Sequence, residues 1–288
     1  MTLAIVTDST AYLSPEEAEE NQITVVPIPV IMDGREYQEG VDIHPEGFYE
    51  QLAAAETFPT TSQPAVGEWI TTFERLKAAG YDEALVINLS ETISGAVKTV
   101  AGLKDAVDGF TVHAYDSKLT VRIMGLLVLK AAQMARSGAS VDEITHVLDE
   151  LSATIDEYFV VDDLQNLARG GRLSNASAFL GSMLKVKPIL TFDNQTNYIV
   201  PFEKVRSMKK ALARTESLFA DAVEQADYPI KALVIYSNNE ADGQKWLEEL
   251  AEKFPNVDFE LSYFGPVIGT HLGAGALALG WMRDPASV

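Results

Sequence analysis

The sequence of 288 residues contains no cysteine. Disulfide bonds, thiolate metal sites and a cysteine nucleophile are therefore excluded. Basic residues are also scarce, since 22 Lys and Arg oppose 42 Asp and Glu and give a formal net charge of −20. Polyphosphate repels such a chain, so we predict that nucleic acid is not a partner. The missing cysteine fits a cytoplasmic location.

Long uninterrupted apolar segments are missing too. Leu119–Met134 is interrupted by Arg122 and Lys130, and Phe264–Met282 contains five glycines that dilute its hydrophobicity. The N-terminal residues MTLAIVTDST lack the basic region of a signal peptide and lead directly into a predicted strand. With 47% hydrophobic residues and a mean hydropathy of +0.03, the sequence predicts globular cores and no membrane span.

Motifs for nucleotide binding, serine hydrolysis and metal binding are absent from the sequence. It contains no G-x-x-x-x-G-K-[ST], no G-x-G-x-x-G and no G-x-S-x-G, so the corresponding nucleotide sites and hydrolase turn are not expected. The four histidines show no short metal-ligand spacing. They are His44, His113, His146 and His271. We predict neither a metal nor a cofactor.

Strand and helix patterns alternate along the first half of the chain. Three short apolar runs have the composition of buried strands: Leu3–Thr7, Ala84–Leu89 and Phe110–Tyr115. Amphipathic helices are predicted between them, which is typical of an α/β fold with a largely parallel sheet. We assign residues 1–156 to an N-terminal α/β domain.

The pattern changes in the second half. A helix is predicted over Ser174–Leu184, the segments Ile189–Asp193 and Asn197–Phe202 predict a hairpin, and a further strand–helix unit follows. We assign residues 157–288 to a C-terminal α/β domain with a mixed sheet. A last helix is predicted towards Met282, and its packing back on the first domain is left open. Because no long linker is visible, we expect a shared cleft between the two domains.

Hydroxyl side chains are concentrated in two loops, each before a predicted helix. The first loop contains Thr60, Thr61 and Ser62, and the second contains Ser90, Thr92 and Ser94. If the two strand–helix units are neighbours, both loops lie at the carboxyl edge of one sheet, where open α/β folds bind ligands. Hydroxyls and helix N-terminal amides suit a carboxylate or a phosphate but supply no general base. Helix capping by Ser90 or Ser94 is the alternative interpretation.

Asp8 and His271 are the residues with which an enzyme could work at this cleft. Asp8 follows the first strand, and we interpret it as a turn residue that makes hydrogen bonds. His271 lies in a glycine-rich segment where backbone and ligand can approach closely. A buried histidine bonded to a backbone carbonyl is the alternative. An enzyme that acts on a small anionic metabolite is therefore the rival hypothesis to a binding protein.

Three arginines stand out in a chain of this negative charge. Arg169 and Arg172 flank a Gly-Gly turn, and Arg206 lies in a short basic segment. They mark either an anion site or a docking patch for a partner. Solvated charges at helix ends are the alternative.

A set of short motifs occurs in order along nearly the whole chain. The motifs are Val6-Thr7-Asp8-Ser9-Thr10, Thr61-Ser62-Gln63-Pro64, Leu89-Ser90 through Ser94-Gly95, Arg169-Gly170-Gly171-Arg172, Lys204-Val205-Arg206 with Lys209-Lys210-Ala211, and the segment from Gly265 to Gly273. In this order and spacing the sequence resembles the DegV family. Characterised members of that family are fatty-acid-binding proteins of bacterial fatty acid kinase.

The resemblance implies two α/β domains with one long-chain fatty acid in a tunnel between them. It assigns the carboxylate to the hydroxyls of Thr61, Ser62 and Ser94, and it places His271 and Arg169 in the polar network around the head group. The family presents the bound carboxylate to a separate kinase subunit, which phosphorylates it with ATP. The chain is therefore expected to be a carrier and not an enzyme, with transient membrane contact compatible with its lipid ligand.

By the same resemblance, Arg172 and Arg206 are the candidates for docking to the kinase. The sequence departs from the family pattern at two places near these sites. Ala168 stands where a second arginine is common, which we expect to weaken docking. Ala96-Val97 replaces a frequent Thr-Tyr, which we expect to alter the pocket near the head group.

Overall fold

The computed structural model describes residues 2–162, 164–174 and 187–288. Its strands, in chain order, are β1 (Leu3–Asp8), β2 (Ile23–Val26), β3 (Pro29–Met32), β4 (Arg35–Gln38), β5 (Thr60–Thr61), β6 (Glu83–Asn88), β7 (Thr111–Asp116), β8 (Asp156–Val160), β9 (Lys187–Phe192), β10 (Ile199–Val205), β11 (Ile230–Tyr236), β12 (Asp258–Tyr263) and β13 (Leu277–Arg283).

The helices of the described residues follow the same numbering. They are α1 (Pro15–Glu20), α2 (Pro45–Ala54), α3 (Val66–Ala78), α4 (Ala96–Ala101), α5 (Val121–Arg136), α6 (Val141–Ser152), α7 (Gln165–Arg169), α8 (Met208–Gln225), α9 (Glu240–Lys253) and α10 (Pro266–Leu272). The helix predicted over Ser174–Leu184 lies, apart from its first residue, outside the described residues. Within the described ranges, no helix has both the length and the apolar character needed to cross a bilayer.

The chain divides into two compact units. The first unit consists of Met1–His44 and Thr61–Ala153, and the second consists of Pro45–Thr60 and Thr154–Val288. The sequence pattern predicts Pro45–Thr60 within the N-terminal domain of residues 1–156, whereas the structure groups this segment with the second unit. Long-range packing, which no local pattern reveals, decides its place.

The contacts of α2 show why the Pro45–Thr60 segment belongs to the second unit. The hydroxyl of Tyr49 donates to the carbonyl of Phe264 at 2.6 Å. Gly269 of α10 lies so close to the two aromatic rings of α2 that a Cβ there would be 2.7 Å from the Tyr49 oxygen and 2.8 Å from Phe48. Both rings are buried, so their burial holds the segment in the second unit.

The first unit is built on a parallel sheet in the order β2-β1-β6-β7. The central strands β1 and β6 carry continuous apolar runs that are buried on both faces, as parallel strands covered by helices require. Helix α3 covers one face through Trp69 and Phe73, which stack at 6.1 Å, and Phe73 also stacks on Phe110. The predicted parallel sheet is confirmed.

The predicted start of α1 is also confirmed. The hydroxyl of Ser14 accepts from the N–H of Glu17 at 3.1 Å, and the Glu17 carboxylate accepts from the N–H of Ser14 at 2.9 Å, which forms a capping box. Glu17 also accepts two hydrogen bonds from Arg122 of α5, at 2.6 and 2.8 Å. A local helix-start signal thus also ties two distant helices together.

Two prolines divide the strand that was predicted over Ile23–Ile31. β2 ends at Val26 and joins the parallel sheet, whereas β3 starts at Pro29 and belongs to a separate sheet in the order β4-β3-β5. Proline lacks the N–H that a continuous ladder needs, so the chain changes sheet here. The small sheet includes Thr61, one of the predicted site residues.

The second unit contains a mixed sheet in the order β10-β9-β8-β13-β11-β12. Only the β11–β12 pair is parallel among its described neighbours. The predicted hairpin is present as β9 and β10, and aromatic residues of α8 and β13 form the core, with Phe219 and Trp281 at 5.1 Å. The predicted combination of a parallel and a mixed α/β sheet is confirmed.

The last helix predicted towards Met282 is wrong. Helix α10 ends at Leu272, and Gly273 follows with a φ of +74°. Leu277–Arg283 instead forms β13, which pairs with β11 on one side and β8 on the other. An apolar run has the same composition in a buried helix and in a central strand that is buried on both faces. Hydrophobic periodicity therefore does not distinguish a helix from a strand here. The strand also belongs to the second unit.

Candidate functional site

The serine loop after β6 is ordered by its own hydrogen bonds. The backbone carbonyl of Ser90 accepts from the N–H groups of Ile93 and Ser94, both at 3.1 Å, and its hydroxyl lies 2.8 Å from that of Thr92. Ser90 is fully buried, whereas Ser94 is half-buried. Ser90 therefore shapes the loop from inside, and Ser94 is the residue that the loop presents.

Ser94 makes a local hydrogen bond at the start of α4 that leaves its own O–H group available to a ligand. Its hydroxyl oxygen accepts from the N–H of Ala96 at 3.2 Å, which is a local turn bond at the start of α4. A hydroxyl that accepts one hydrogen bond retains its own O–H to donate. A local structural role and a ligand-binding role are therefore compatible at this position.

Asp8 supports this loop from the neighbouring strand. One carboxylate oxygen accepts from the Asn88 side chain at 3.0 Å and from the Leu89 N–H at 2.9 Å. The other accepts from the N–H and the hydroxyl of Thr10, at 3.1 and 2.6 Å. Burial raises the pKa of Asp8, and these hydrogen bonds oppose that shift. The hydrogen-bonding role predicted for Asp8 agrees with this geometry.

The loop after β7 braces the serine loop from the other side. The N–H of Ser90 donates to the carbonyl of Leu119 at 2.7 Å, and the carboxylate of Asp116 accepts from the N–H of Glu91 at 3.2 Å. Parallel strands β1, β6 and β7 end at the same edge of the sheet. Their three loops are consequently joined into one polar cluster at the edge where α/β folds bind ligands.

The second hydroxyl loop lies against the first. Ser62 is anchored by its N–H, which donates to the carbonyl of Pro29 at 3.1 Å. The side chain of Gln63 approaches Gly95 so closely that a Cβ on Gly95 would be 2.5 Å from the Gln63 Oε1 atom. Thr61 is half-buried and Ser62 is exposed. The structure therefore brings the Thr61–Ser62 and Ser94–Gly95 segments together within the first unit.

His271 lies on α10 in the second unit and is only 7% exposed. Burial, and to a lesser extent the nearby positive charge of Arg172, lowers the pKa of His271 to about 3. The imidazole is therefore neutral at pH 7. A neutral imidazole acts as a hydrogen-bond donor or acceptor, not as a cation that attracts an anion.

The Arg-Gly-Gly-Arg turn packs beside His271. Gly170 leaves no room for a Cβ against the His271 ring. Arg172 is half-buried, and its guanidinium donates to the carbonyl of Gly170 at 2.6 Å. Arg169 is exposed, and its guanidinium lies 5.8 Å from the centre of the Phe58 ring. The turn thus places one arginine next to His271 and the other at the surface.

Arg206 lies apart from that turn along the chain. It is exposed and follows β10, directly before Ser207, whose hydroxyl caps α8 by accepting from the Lys210 N–H. Its docking role stays a prediction. The convergence of Thr61, Ser62 and Ser94 with His271 and Arg169 on one carboxylate also stays a prediction.

Two contacts were not visible in the sequence. Nothing in the pattern of Gln63 indicates that its side chain reaches Gly95, because the two residues meet only through folding. The proximity of Arg172 to His271 is equally non-local, although the Gly-Gly turn signals a close backbone approach. As to metals, the described ranges hold no group of three His, Asp or Glu side chains arranged to bind an ion.

Comparisons with known proteins agree with this architecture. The profile described as "Uncharacterised protein, DegV family" matches residues 2–284. A DegV domain-containing protein of Listeria monocytogenes is 50% identical over 279 residues, which cover 97% of this chain and 98% of that protein.

Two crystal structures show the same fold. That of DegV, a fatty acid binding protein from Bacillus subtilis, matches with a TM-score of 0.90 and 43% identity, covering 98% of this chain and 99% of that one. That of a fatty acid binding DegV family protein from Streptococcus agalactiae matches with a TM-score of 0.90 and 35% identity, over the same shares of the two chains. The resemblance drawn from the motifs is confirmed. The chain belongs to the DegV family.

Proposed function

We propose that this protein binds a long-chain fatty acid and presents its carboxylate to a separate kinase, which forms an acyl phosphate. The hydroxyls of Thr61, Ser62 and Ser94 hold the carboxylate, and His271 and Arg169 complete the polar network around it. The acyl chain occupies a buried tunnel between the two domains. Related DegV proteins with solved structures are described as fatty acid binding.

The contact between Gly95 and Gln63 is the observation that carries the proposal. It holds the two hydroxyl loops side by side, so their O–H groups can act on one ligand. A carboxylate accepts several hydrogen bonds and suits such a set of neutral donors. The neutral His271 adds a further uncharged partner.

Burial of the acyl chain supplies the affinity in this proposal. Burying about fifteen CH2 and CH3 groups of the acyl chain, at about 0.8 kcal/mol each, contributes about 12 kcal/mol of favourable free energy before the entropic costs of binding. The hydroxyls therefore need only orient the head group. Such a division suits a carrier, because the carboxylate stays accessible for transfer of a phosphoryl group.

The same geometry argues against the rival hypothesis of an enzyme that acts on a small anionic metabolite. Such an enzyme would use Asp8 or His271. The pKa of His271 is lowered to about 3, which makes it a weak base, and both Asp8 oxygens are buried and accept two hydrogen bonds each. A carboxylate held in this way positions loops and does not reach a substrate proton. The carrier function is therefore favoured.

Mass spectrometry of the ligand extracted from the purified protein tests the proposal. We expect about one fatty acid per chain after expression in lipid-replete medium. A protein that carries no fatty acid, and takes up none when it is offered, would contradict the proposal. A small anionic metabolite in its place would support the rival.

The head-group assignment is tested by replacing Ser62 and Ser94 together with alanine. We expect lower formation of acyl phosphate by the kinase, with an unchanged fold, because the carboxylate loses two hydrogen-bond donors. Ser137→Ala is the matched control, since Ser137 is exposed at the end of α5 and bonds within its own helix. Full turnover in the double variant would reject the assignment.

Arg206 is the stronger of the two docking candidates. Arg206 is exposed, whereas Arg172 is half-buried beside His271 and its guanidinium donates a hydrogen bond to the Gly170 carbonyl. Arg206→Glu should impair coupling to the kinase more than fatty acid binding. The control is Lys245→Glu, which reverses an exposed charge on α9 and should change neither coupling nor binding. Equal loss of coupling and binding in the Arg206 variant would contradict a docking role.

We infer that the protein acts in the cytoplasm, where ATP is available to the kinase, and meets membranes transiently when it exchanges its ligand. The net charge of −20 disfavours lasting adsorption to anionic lipid. We expect co-sedimentation with anionic vesicles only as a minor fraction, and stable association would argue against this part.

A further inference from the structure

Thr120, the residue directly before α5, carries a hydroxyl without an assigned role. The residue is 7% exposed, and within the described part of the chain its Oγ1 atom makes no hydrogen bond. Buried polar atoms in folded proteins nearly always have a partner, because an unsatisfied one costs free energy. The hydroxyl therefore calls for a partner that the described residues do not provide.

The start of α5 presents donors at the same place. Thr120 is the N-cap residue, in an extended conformation, yet its side chain makes no capping hydrogen bond. The first N–H groups of a helix have no partner within the helix, and they carry the positive end of its dipole. With 16 residues, α5 is long enough for this dipole to develop. As the N-cap residue, Thr120 directly precedes these N–H groups in the chain, and its hydroxyl makes no hydrogen bond to them.

The position is connected to the serine loop of the proposed head-group site. Leu119, the residue before Thr120, accepts the hydrogen bond from the Ser90 N–H at 2.7 Å, and the Ser90 carbonyl accepts from the Ser94 N–H at 3.1 Å. The loop before α5 is also held from within, since the Ser117 hydroxyl and Leu119 exchange hydrogen bonds through two contacts at 3.2 and 3.3 Å. The residue directly before Thr120 in the chain is therefore hydrogen-bonded to the loop that contains Ser94.

We propose that Thr120 and the first N–H groups of α5 bind an oxygen atom of the ligand's carboxylate. This inference rests on the proposed function. A carboxylate has about four lone-pair directions, so it can accept from Thr120 in addition to the hydroxyls already named. The ligand then satisfies the Thr120 hydroxyl, and the helix dipole favours the ionised form of the acid. Thr120 is thus a determinant of specificity for a charged head group over an uncharged one.

The test compares hexadecanoic acid with hexadecan-1-ol, which share the same chain but differ in the head group. Thr120→Val removes the hydroxyl and keeps the branched shape. We expect it to weaken binding of the acid by about tenfold or more, since a hydrogen bond to a charged group is lost, while binding of the alcohol changes by less than about twofold. Thr120→Ser should restore binding of the acid.

Thr215→Val is the matched control. Thr215 lies on α8 of the second unit, is 1% exposed and also has an Oγ1 atom without a hydrogen bond in the described structure. We expect this variant to bind the acid as the wild type does. The ligand-free Thr120→Val protein should be as stable as the wild type or more so, because it no longer buries an unsatisfied hydroxyl.

Unchanged affinity of Thr120→Val for the acid would overturn the inference, and so would an equal loss for acid and alcohol, which would indicate altered packing. If Thr120→Val does not fold, Thr120→Ala removes the same hydroxyl with a smaller side chain and is judged by the same ratio of affinities. A wild-type protein that binds no acid would refute the proposed function itself. A wild type that binds the acid with no contribution from Thr120 would refute only this inference.

Discussion

The side-chain Nδ2 of Asn88 donates to Oδ2 of Asp8 at 3.0 Å, which joins the last residues of the neighbouring parallel strands β1 and β6. The same carboxylate oxygen accepts from the Leu89 N–H, where the chain leaves β6 for the serine loop. Asp8 is fully buried, and no cation offsets its charge among the influences on its pKa. Neutral donors alone thus stabilise a carboxylate below the proposed head-group site.

Asp8→Asn should destabilise the protein and disturb the serine loop. An asparagine keeps one acceptor oxygen, but its NH2 group would face the donors of Asn88 or Thr10. We expect a loss of about 2 kcal/mol in the free energy of unfolding, because buried donors are left without acceptors. Urea denaturation measures this loss, and weaker fatty acid binding should accompany it.

Asp193→Asn is the control for that substitution. In the described structure, Gln195 and Thr196 of the β9–β10 turn donate hydrogen bonds to a single oxygen, Oδ1, of the Asp193 carboxylate. An asparagine can retain that oxygen, so the change should stay within about 0.5 kcal/mol. Similar stability losses in the two variants would show that the four hydrogen bonds to Asp8 contribute no more to stability than those to Asp193.

Gly95→Ala should weaken fatty acid binding through Gln63. The new Cβ would lie 2.5 Å from the Gln63 Oε1 atom, so the exposed Gln63 side chain must rotate away and loses its contact with the Ser94–Gly95 segment. We expect a loss of about 1 kcal/mol of binding free energy, measured by calorimetry, and partial recovery in the double variant with Gln63→Ala. Additive effects of the two substitutions would contradict this coupling.

Gly67→Ala controls for the loss of a glycine. A Cβ on Gly67 of α3 would have no atom within 4 Å. Because alanine is the better helix former, we expect this variant to gain about 0.5–1 kcal/mol of stability and to bind the fatty acid normally. Reduced binding here would show that the effect at Gly95 is not specific to its contact.

The pKa of His271 should rise when Arg172 loses its charge. Burial is the larger cause of the fall from 6.5 to about 3, and the charge of Arg172 is the smaller one. Arg172→Gln should therefore recover less than half of that difference. Titration of the His271 ring by NMR measures it, and a pKa that does not move would show that the two groups do not interact.

The same shift predicts how stability depends on acid. The unfolded chain protonates His271 near pH 6.5, while the folded chain remains neutral until about pH 3. The unfolded state therefore binds more protons in this window, and stability decreases as the pH falls through it. His271→Phe should flatten that part of the curve in thermal melts, and an unchanged pH dependence would argue against a buried neutral imidazole.

Glu157 on β8 should have the opposite effect to His271, so that its contribution to stability decreases as the pH rises. Burial raises the pKa of Glu157 to about 8 from 4.5, and its carboxylate accepts from the Phe192 N–H at 2.9 Å. The folded state keeps its proton between pH 4.5 and 8 while the unfolded state loses it, so this contribution is complete below pH 4.5 and declines up to pH 8.

Glu157→Gln mimics the protonated form and should become increasingly more stable than the wild type as the pH rises from 5 to 8, by at most about 1.4 kcal/mol per pH unit. Denaturation at several pH values measures the difference. A constant difference between the two proteins across this range would refute the raised pKa.

Sequence patterns were sufficient wherever the cause of a structure is local. The Ser14-Pro15 helix start appears as a capping box, and the polar turn between β9 and β10 appears as a hairpin. Sequence patterns failed where the secondary structure depends on neighbouring segments. Leu277–Arg283 is a strand because β8 and β11 lie on either side of it. The same limit explains why the placement of Pro45–Thr60 in the second unit was missed.

By itself, the sequence determined the α/β class, the parallel and mixed sheets, the membership in the DegV family and the two hydroxyl loops, because composition and motif order carry that information along the chain. Tertiary structure decided which side chains meet. Gln63 reaches Gly95, Asp8 holds Asn88, and Arg172 approaches His271 only after distant segments fold together. Contacts and the burial that shifts a pKa depend on neighbours in space, which a one-dimensional pattern does not record.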